Sequence, residues 1–224
     1  MSYNKSDLEY IHKKNFLNMS DVKILADKFD AIKSEKTYKS LHENVIQLTN
    51  IDVQSEFIFE KLRKDLEHFF DTKIGIKKLK LEKLWLVSST SENVRTDELP
   101  YIPHFDKRRY MKAMVYIHSV TKDHGPIHIG KAKDKTDIEM RRIKLPGDYK
   151  MLGLNLIENT EMIGAMEPMI GNSGDVIFFD TNSPHKAGAI SKGYERRVLR
   201  FDFEVDGLNK KIPFVQRLFK KIIK

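Results

Sequence analysis

The chain contains no cysteine, which excludes disulfide frameworks, thiol nucleophiles, iron–sulfur ligation and thiolate zinc sites. Any metal must therefore be held by His, Asp or Glu. No uninterrupted apolar stretch approaches the ~18 residues of a membrane span. The polar opening Met1-Ser2-Tyr3-Asn4-Lys5-Ser6 also lacks the apolar segment of a secretory signal. The expected location is the cytoplasm. Glycine and proline are sparse, at 11 and 7 residues, while 40% of the chain is apolar and 10% aromatic. That composition excludes disordered, collagenous and low-complexity chains. At 224 residues one globular domain is expected, since domains commonly run to ~100–200 residues.

Acidic residues are missing from one segment in particular. The formal net charge is +8, and the stretch from Leu208 to Lys224 holds six basic residues and no acid. Only about +2 is left for the other 207 positions. The basic balance is therefore a property of the tail and gives no reason to expect nucleic acid as a partner.

Residues 1–75 read as helical. Ser20-Asp21 precedes Val22, Leu25, Phe29 and Ile32, and Asp52 precedes Phe57, Leu62, Leu66, Phe69 and Phe70. Both spacings suit amphipathic helices opened by acceptor side chains. From residue 76 to 207 the apolar period falls to two: Leu79, Leu81, Trp85 and Val87 share one parity, and strand-like runs cover 110–120, 175–180 and 196–205. Trp85 is expected in the core. Gly125-Pro126, Gly171-Asn172-Ser173-Gly174 and Asn182-Ser183-Pro184 break these runs. Helices followed by strands predict an α+β fold, a β-sandwich or small barrel flanked by N-terminal helices. Residues 131–169 have no clean period and read as a long insertion of the kind used for lids and binding loops.

In Tyr101-Ile102-Pro103-His104-Phe105-Asp106 an imidazole and a carboxylate lie two residues apart, on one face of an extended segment. Chance alone would supply about one such pair among 32 acids. The pair gains weight from Gly174 to His185, where a short apolar strand, Val176-Ile177-Phe178-Phe179, delivers a second histidine just past a turn. Two histidines and one carboxylate form the facial set that holds non-haem Fe(II) and leaves positions open for dioxygen and a chelating cosubstrate. Eleven residues after His185 comes Arg196-Arg197-Val198-Leu199-Arg200-Phe201-Asp202-Phe203. Alternation turns Arg197, Leu199, Phe201 and Phe203 toward packing, and Arg196, Val198, Arg200 and Asp202 toward a pocket. Arg196 is thus the better clamp for a carboxylate, with Arg200 divided between the pocket and Asp202. His118, His124 and His128 form a rival cluster, but none has an acid two residues on.

Taken in order, His104-Phe105-Asp106, Lys112 to Val120, Gly125-Pro126, Gly174-Asp175, Asp180-Thr181, His185-Lys186-Ala187-Gly188 and Arg196 resemble the phytanoyl-CoA dioxygenase branch of the Fe(II)/2-oxoglutarate oxygenases. The resemblance covers about residues 100–205. It implies a double-stranded β-helix of jelly-roll type, with His104, Asp106 and His185 as iron ligands and as the catalytic centre. Arg196 would bind the distal carboxylate of 2-oxoglutarate, with Lys112 and Thr181 at positions where such proteins often place cosubstrate-pocket residues. The implied cofactors are Fe(II), 2-oxoglutarate and O2. The implied reaction hydroxylates a C–H bond of a small-molecule or lipid- or sugar-linked substrate and releases succinate and CO2. An acid at 106, where a small residue would open a halide position, argues for hydroxylation over halogenation. The competing readings are a nucleic-acid demethylase with the same centre and a non-catalytic β-sandwich that binds a sugar or anion.

The segment 210–224 places Pro213 at a plausible first helical position and Phe214, Leu218, Phe219 and Ile222 on one side, with basic residues elsewhere. Such a helix either lies on an anionic membrane, at ~1 kcal/mol per basic side chain, or packs on the domain, at ~1.5–3 kcal/mol per fully buried side chain. Deleting 210–224 separates the two. In the membrane case the protein leaves anionic vesicles and keeps its melting temperature, whereas in the packed case the melting temperature falls by many degrees. Vesicle sedimentation at low and high salt beside a thermal melt reads both.

Overall fold

The computed structural model describes residues 9–35, 40–42, 45–93, 99–106, 108–132, 157 and 163–205. Its first helix, α1 (Met19–Ser34), is opened by Asn18, whose side chain accepts from the Asp21 amide at 2.8 Å. The cap therefore precedes the expected Ser20-Asp21. Val22, Leu25, Phe29 and Ile32 are buried, as their spacing predicts. Thr49 and Asp52 satisfy each other's backbone amides in a capping box that opens α2 (Asn50–Ser55). After a break at Glu56, α3 (Phe57–Phe69) buries Ile58, Phe59, Leu62 and Leu66. It runs into a π-helical turn that Gly75 closes at φ 76°.

The N-terminal third is not wholly helical. It also supplies β1 (Tyr10–Lys13), β2 (Ser40–His42) and β3 (Val45–Leu48), which are short strands on the two edges of the larger sheet. Runs of three and four residues carry too little periodicity to be read alone, and the neighbouring strands decide their conformation. The remaining strands are β4 (Leu79–Thr90), β5 (Met111–Tyr116), β6 (Ile127–Ala132), β7 (Ile163–Pro168), β8 (Val176–Asp180), β9 (His185–Ala187) and β10 (Glu195–Val205). They form a seven-stranded sheet in the order β1-β8-β5-β10-β4-β3-β2 and a three-stranded sheet β7-β6-β9. Every pairing is antiparallel. This is the jelly-roll, double-stranded β-helix core with helices packed outside one face. The expected insertion at 131–169 thus begins and ends in paired strands, β6 and β7, and most of its interior lies outside the described residues. The tail 208–224 also lies outside them.

Each face of the larger sheet has its own core. On one face Leu25, Phe29, Phe59 and Leu66 of the helices meet Phe178, Leu199 and Phe201. On the other, Tyr116, Phe179 and Val198 meet Ile127 and Ile129 of the smaller sheet. The β10 alternation follows the expected parity. Leu199, Phe201 and Phe203 join the helix-side core, and Arg197 reaches Asp30 of α1 at 2.7 Å. Strand β4 departs from the expected parity. Its register against β10 slips where Asp202 pairs with Lys83 but Phe203 pairs with Leu81, leaving Glu82 as the extra residue of a bulge. Beyond the bulge Leu84 and Leu86 join the helix-side core. Trp85 and Val87 face the space between the sheets, so Trp85 belongs to a cavity wall and not to the core.

The polar ties that close the fold are equally specific. Asp175, at the head of β8, accepts from the amides of Asn15 (2.8 Å) and Asn172 (2.9 Å) and contacts His12 Nε2 at 2.9 Å. At the other end of β8 the buried Arg109 grips Asp180, with Nε 3.0 and 2.9 Å from the two carboxylate oxygens, and Asp180 also accepts from the Asn182 amide. Arg109→Met would strand a buried carboxylate. We expect a loss of about 3–5 kcal/mol, or roughly 6–20 °C in melting temperature for a chain of this size. The double variant Arg109→Met with Asp180→Leu should recover part of that loss in the same thermal melt.

Candidate metal centre

The segment 99–110 crosses the open end between the two sheets and is held there by backbone bonds. His104 and His185 form an isolated antiparallel bridge, His104 N to His185 O at 3.1 Å and His185 N to His104 O at 2.9 Å. Two residues later the Asp106 amide donates to Thr181 O at 3.4 Å. The i, i+2 spacing expected from an extended segment then turns both side chains inward. Their donor atoms and that of His185 all lie within 4.8 Å of one another, the only such group among the described residues.

Both imidazoles are fixed in one tautomer. His104 Nδ1 is 2.8 Å from Ile102 O, and His185 Nδ1 is 3.0 Å from Ser183 O. A carbonyl only accepts, so each Nδ1 carries the proton and each Nε2 presents a lone pair. Those Nε2 atoms lie 3.9 Å (His104) and 3.4 Å (His185) from Asp106 Oδ1. Burial, reinforced by the neighbouring His185, pushes His104 down to about 3 and keeps it neutral. Burial alone would raise Asp106, but the Lys112 ammonium beside it acts against burial, and the carboxyl is held well below its usual range. The set is therefore a neutral His104 imidazole, a His185 ring with its Nε2 lone pair turned to the same point, and one carboxylate, as a metal requires.

Lys112, buried on β5, binds Asp106 Oδ2, leaving Oδ1 to face the imidazoles. It also lines a cavity of about 500 Å³ between the sheets. Cross-strand registers arrange the larger sheet's cavity face in rows: Lys83–Asp202–Lys112, then Trp85–Arg200–Met114, then Val87–Val198–Tyr116, with Ser89–Arg196 beyond. Arg196 is buried at the inner end. Its Nη1 donates to Gly125 O, while its Nε is buried and has no hydrogen-bond partner among the described residues. Gly125 is required there. It adopts φ 62°, and a Cβ would lie 2.5 Å from Gly188 O. A buried guanidinium with an unsatisfied donor and no described carboxylate partner has the chemistry to accept an anion.

Of the residues singled out in the sequence, His104, Asp106, His185, Lys112 and Arg196 surround one cavity. Thr181 does not line it. Its hydroxyl accepts from the Tyr110 amide at 2.8 Å and reaches Arg108 O at 3.5 Å, so it braces the segment that carries Asp106. Arg200 meets both expectations, pairing with Asp202 at 3.0 Å through Nε and Nη2 while lining the cavity. The rival histidines are engaged locally. His118 Nε2 accepts from the Arg197 amide at 2.7 Å, and His124 Nδ1 bonds Thr121. Sequence reasoning missed Arg109 and the cavity role of Trp85. The second was signalled by the polar pair Glu82-Lys83, which interrupts the alternation Leu79, Leu81 before it resumes at Leu84, Leu86.

No family model and no curated protein matches the chain. Solved structures do. The non-heme α-ketoglutarate-dependent epimerase SnoN from nogalamycin biosynthesis aligns with TM-score 0.59 and 12% identity, over 88% of this chain and 78% of that one. HygX from Streptomyces hygroscopicus, solved with nickel and 2-oxoglutarate, gives 0.58 and 12%, over 89% and 84%. EctD from S. alaskensis gives 0.60 and 14%, over 92% and 76%. The shared property at these identities is the fold.

Lys112→Met tests the electrostatics of the centre. Removing the ammonium should raise the Asp106 carboxyl, so that acid begins to abolish metal binding at a higher pH than in the parent protein. Affinity near neutrality should fall by roughly 10–100-fold. Calorimetric Co(II) titrations over a pH series measure both. An unchanged acid midpoint would show that Lys112 does not govern the carboxylate.

Proposed function

We propose that the chain is an Fe(II)- and 2-oxoglutarate-dependent dioxygenase, of the phytanoyl-CoA dioxygenase-like kind, that hydroxylates a C–H bond and releases succinate and CO2. The observation that carries this reading is the pairing of two features in one cavity. At its mouth are two Nε2 donors and an ionised Oδ1, and at its inner end is a buried arginine whose Nε has no partner among the described residues. His104, Asp106 and His185 would hold the iron, and Arg196 would take the distal carboxylate of 2-oxoglutarate. When bound, the iron supplies oxygen activation and C–H oxidation coupled to decarboxylation of the cosubstrate. HygX with nickel and 2-oxoglutarate, and SnoN with Fe3+ and α-ketoglutarate, support the choice of ligands.

The chain's own groups have definable tasks in that reaction. Ile102 O and Ser183 O orient the two imidazoles, Lys112 keeps Asp106 ionised, and Gly125 O aims the Arg196 fork. The apolar middle row, Val87 and Val198, would keep water from the bond to be oxidised. The reading takes a small-molecule or lipid-linked substrate, a cytoplasmic location, and membrane contact, if any, through 210–224. Among the described residues no helix is long and apolar enough to cross a membrane. A non-catalytic sugar- or anion-binding sandwich would have no use for two oriented imidazoles facing a carboxylate.

Anaerobic Fe(II) with 2-oxoglutarate should produce a weak visible charge-transfer band, and aeration should release succinate. His104→Ala, Asp106→Ala and His185→Ala should each abolish both, since water replaces a lost protein ligand poorly. Arg196→Ala should raise the 2-oxoglutarate requirement by roughly 30-fold or more, whereas Arg197→Ala, which loses only the contact with Asp30, should not. Equal effects of the two arginine substitutions would refute the assignment of Arg196.

A further inference from the structure

The cavity is unbalanced in charge. Lys83, Arg108, Lys112, Lys186, Arg196 and Arg200 line it against only Asp106 and Asp202. Most of these cations are spoken for. Lys112 binds Asp106, and Arg200 binds Asp202 through two contacts of 3.0 Å. Arg108 turns to Glu204 at 2.6 Å and Glu82 at 3.6 Å, and Arg196 is assigned to the cosubstrate. Fe(II) and the 2-oxoglutarate dianion would enter as a neutral pair, so they leave the excess unchanged.

Lys83 and Lys186 remain, with no ion pair among the described residues. Asp202 is the cross-strand neighbour of Lys83, yet its oxygens are occupied by Arg200 and by Trp85 Nε1 at 2.7 Å. Lys83 instead lies 5.5 Å from the centre of the Trp85 ring, which also carries the Arg200 guanidinium at 4.6 Å. Trp85, locked by its bond to Asp202, therefore gathers two cations on the outer rows of the larger sheet. Lys186, between the inward-facing His185 and Ala187 on β9, pairs with His128 on the opposite face of the smaller sheet. Between these charges and the buried end the walls are apolar, with Val87, Pro100, Ala187 and Val198. About 500 Å³ must also hold the cosubstrate, so the part of the substrate that enters is small.

We propose that the substrate is an anion. Its carboxylate or phosphate is held by Lys83 and Arg200, and its apolar portion is directed to the metal. The inference rests on the iron and 2-oxoglutarate reading for what else the cavity holds, but the anion site can be tested apart from it. Trp85 is the sole tryptophan of the chain, so its emission reports on this cavity without a label.

With Fe(II) and saturating 2-oxoglutarate under anaerobic conditions, octanoate, octyl phosphate, octanol and octylamine are titrated against Trp85 emission. One or both anions should give a saturable change that weakens with added salt, and the tighter of the two identifies the head group as carboxylate or phosphate. Octanol and octylamine should bind at least about tenfold more weakly. Lys83→Gln should cost the anion a similar factor, while Lys122→Gln, an exposed lysine outside the cavity, should bind it as the parent does. Equal binding of octanol and the anions, or undiminished anion binding by Lys83→Gln, would overturn the proposal. Saturable anion binding in a protein that shows no charge-transfer band would instead refute the oxygenase reading and leave the anion site standing.

Discussion

The candidate centre depends on two backbone hydrogen bonds, those that pair His104 with His185. Among the described residues they are the only sheet-like contact that His104 makes, and they bring together residues 81 positions apart in the chain. Because the pairing is antiparallel and residue for residue, it places the two imidazoles on one face, with ring centroids 4.4 Å apart. The remaining ties serve this one. Thr181 fixes the amides of Asp106 and Tyr110 through its carbonyl and hydroxyl. Arg109 binds Asp180 at the end of the strand that leads into the same turn. The segment 99–110 has few apolar anchors, Phe105 being its fully buried one, so polar contacts carry most of its positioning.

Electrostatics then distinguishes the two ends of the cavity. At the mouth, His104, which burial keeps neutral, and His185 face a carboxylate that Lys112 helps to keep charged. The lysine occupies the far oxygen and opposes the effect of burial, which alone would raise the carboxyl. At the inner end burial depresses the Arg196 guanidinium, with Tyr101 and Tyr116 opposing that effect, but a guanidinium remains charged under any ordinary condition. The protein thus holds in its interior a cation with no acidic partner among the described residues. Such a charge is costly to leave unpaired and cheap to complete with an incoming carboxylate.

Most of the centre was legible in the sequence because its residues lie on strands of strict alternation. Period two assigned Arg196 to the cavity and Arg197 to the helix side without knowledge of the partner strands, and the motif order supplied His104, Asp106 and His185. Reading failed where local geometry broke the period or was imposed from outside. The Glu82 bulge reversed the face of Trp85. The edge strands β2 and β3 follow from pairing with β4 and are too short to show a period of their own. Thr181 was chosen by analogy of position, but a hydroxyl beside a strand end is easily captured by neighbouring backbone groups, and here it was. Arg109 follows a lysine and an arginine and precedes the strand of Lys112. Nothing in that basic run marks it as the one whose partner, Asp180, is buried.

The larger sheet reconciles a stable core with a charged cavity by dividing them between its faces. On β10 the residues toward the helices, Leu199, Phe201 and Phe203, are aromatic or aliphatic and buried. The alternate residues run from Arg196 through Val198 to Arg200 and Asp202. Six residues of strand span ~20 Å, enough to separate a buried cation at one end from a cationic, tryptophan-centred rim at the other, with an apolar step between them. In the proposed reading two anions enter one cavity without meeting, the cosubstrate carboxylate at Arg196 and the substrate's at Lys83 and Arg200. A single strand register sets the spacing of both. A one-residue slip of β10 would move both cations to the helix side and put Leu199 and Phe201 in the cavity. The apolar packing of β10 on α1 and α3 therefore specifies the position of its charges.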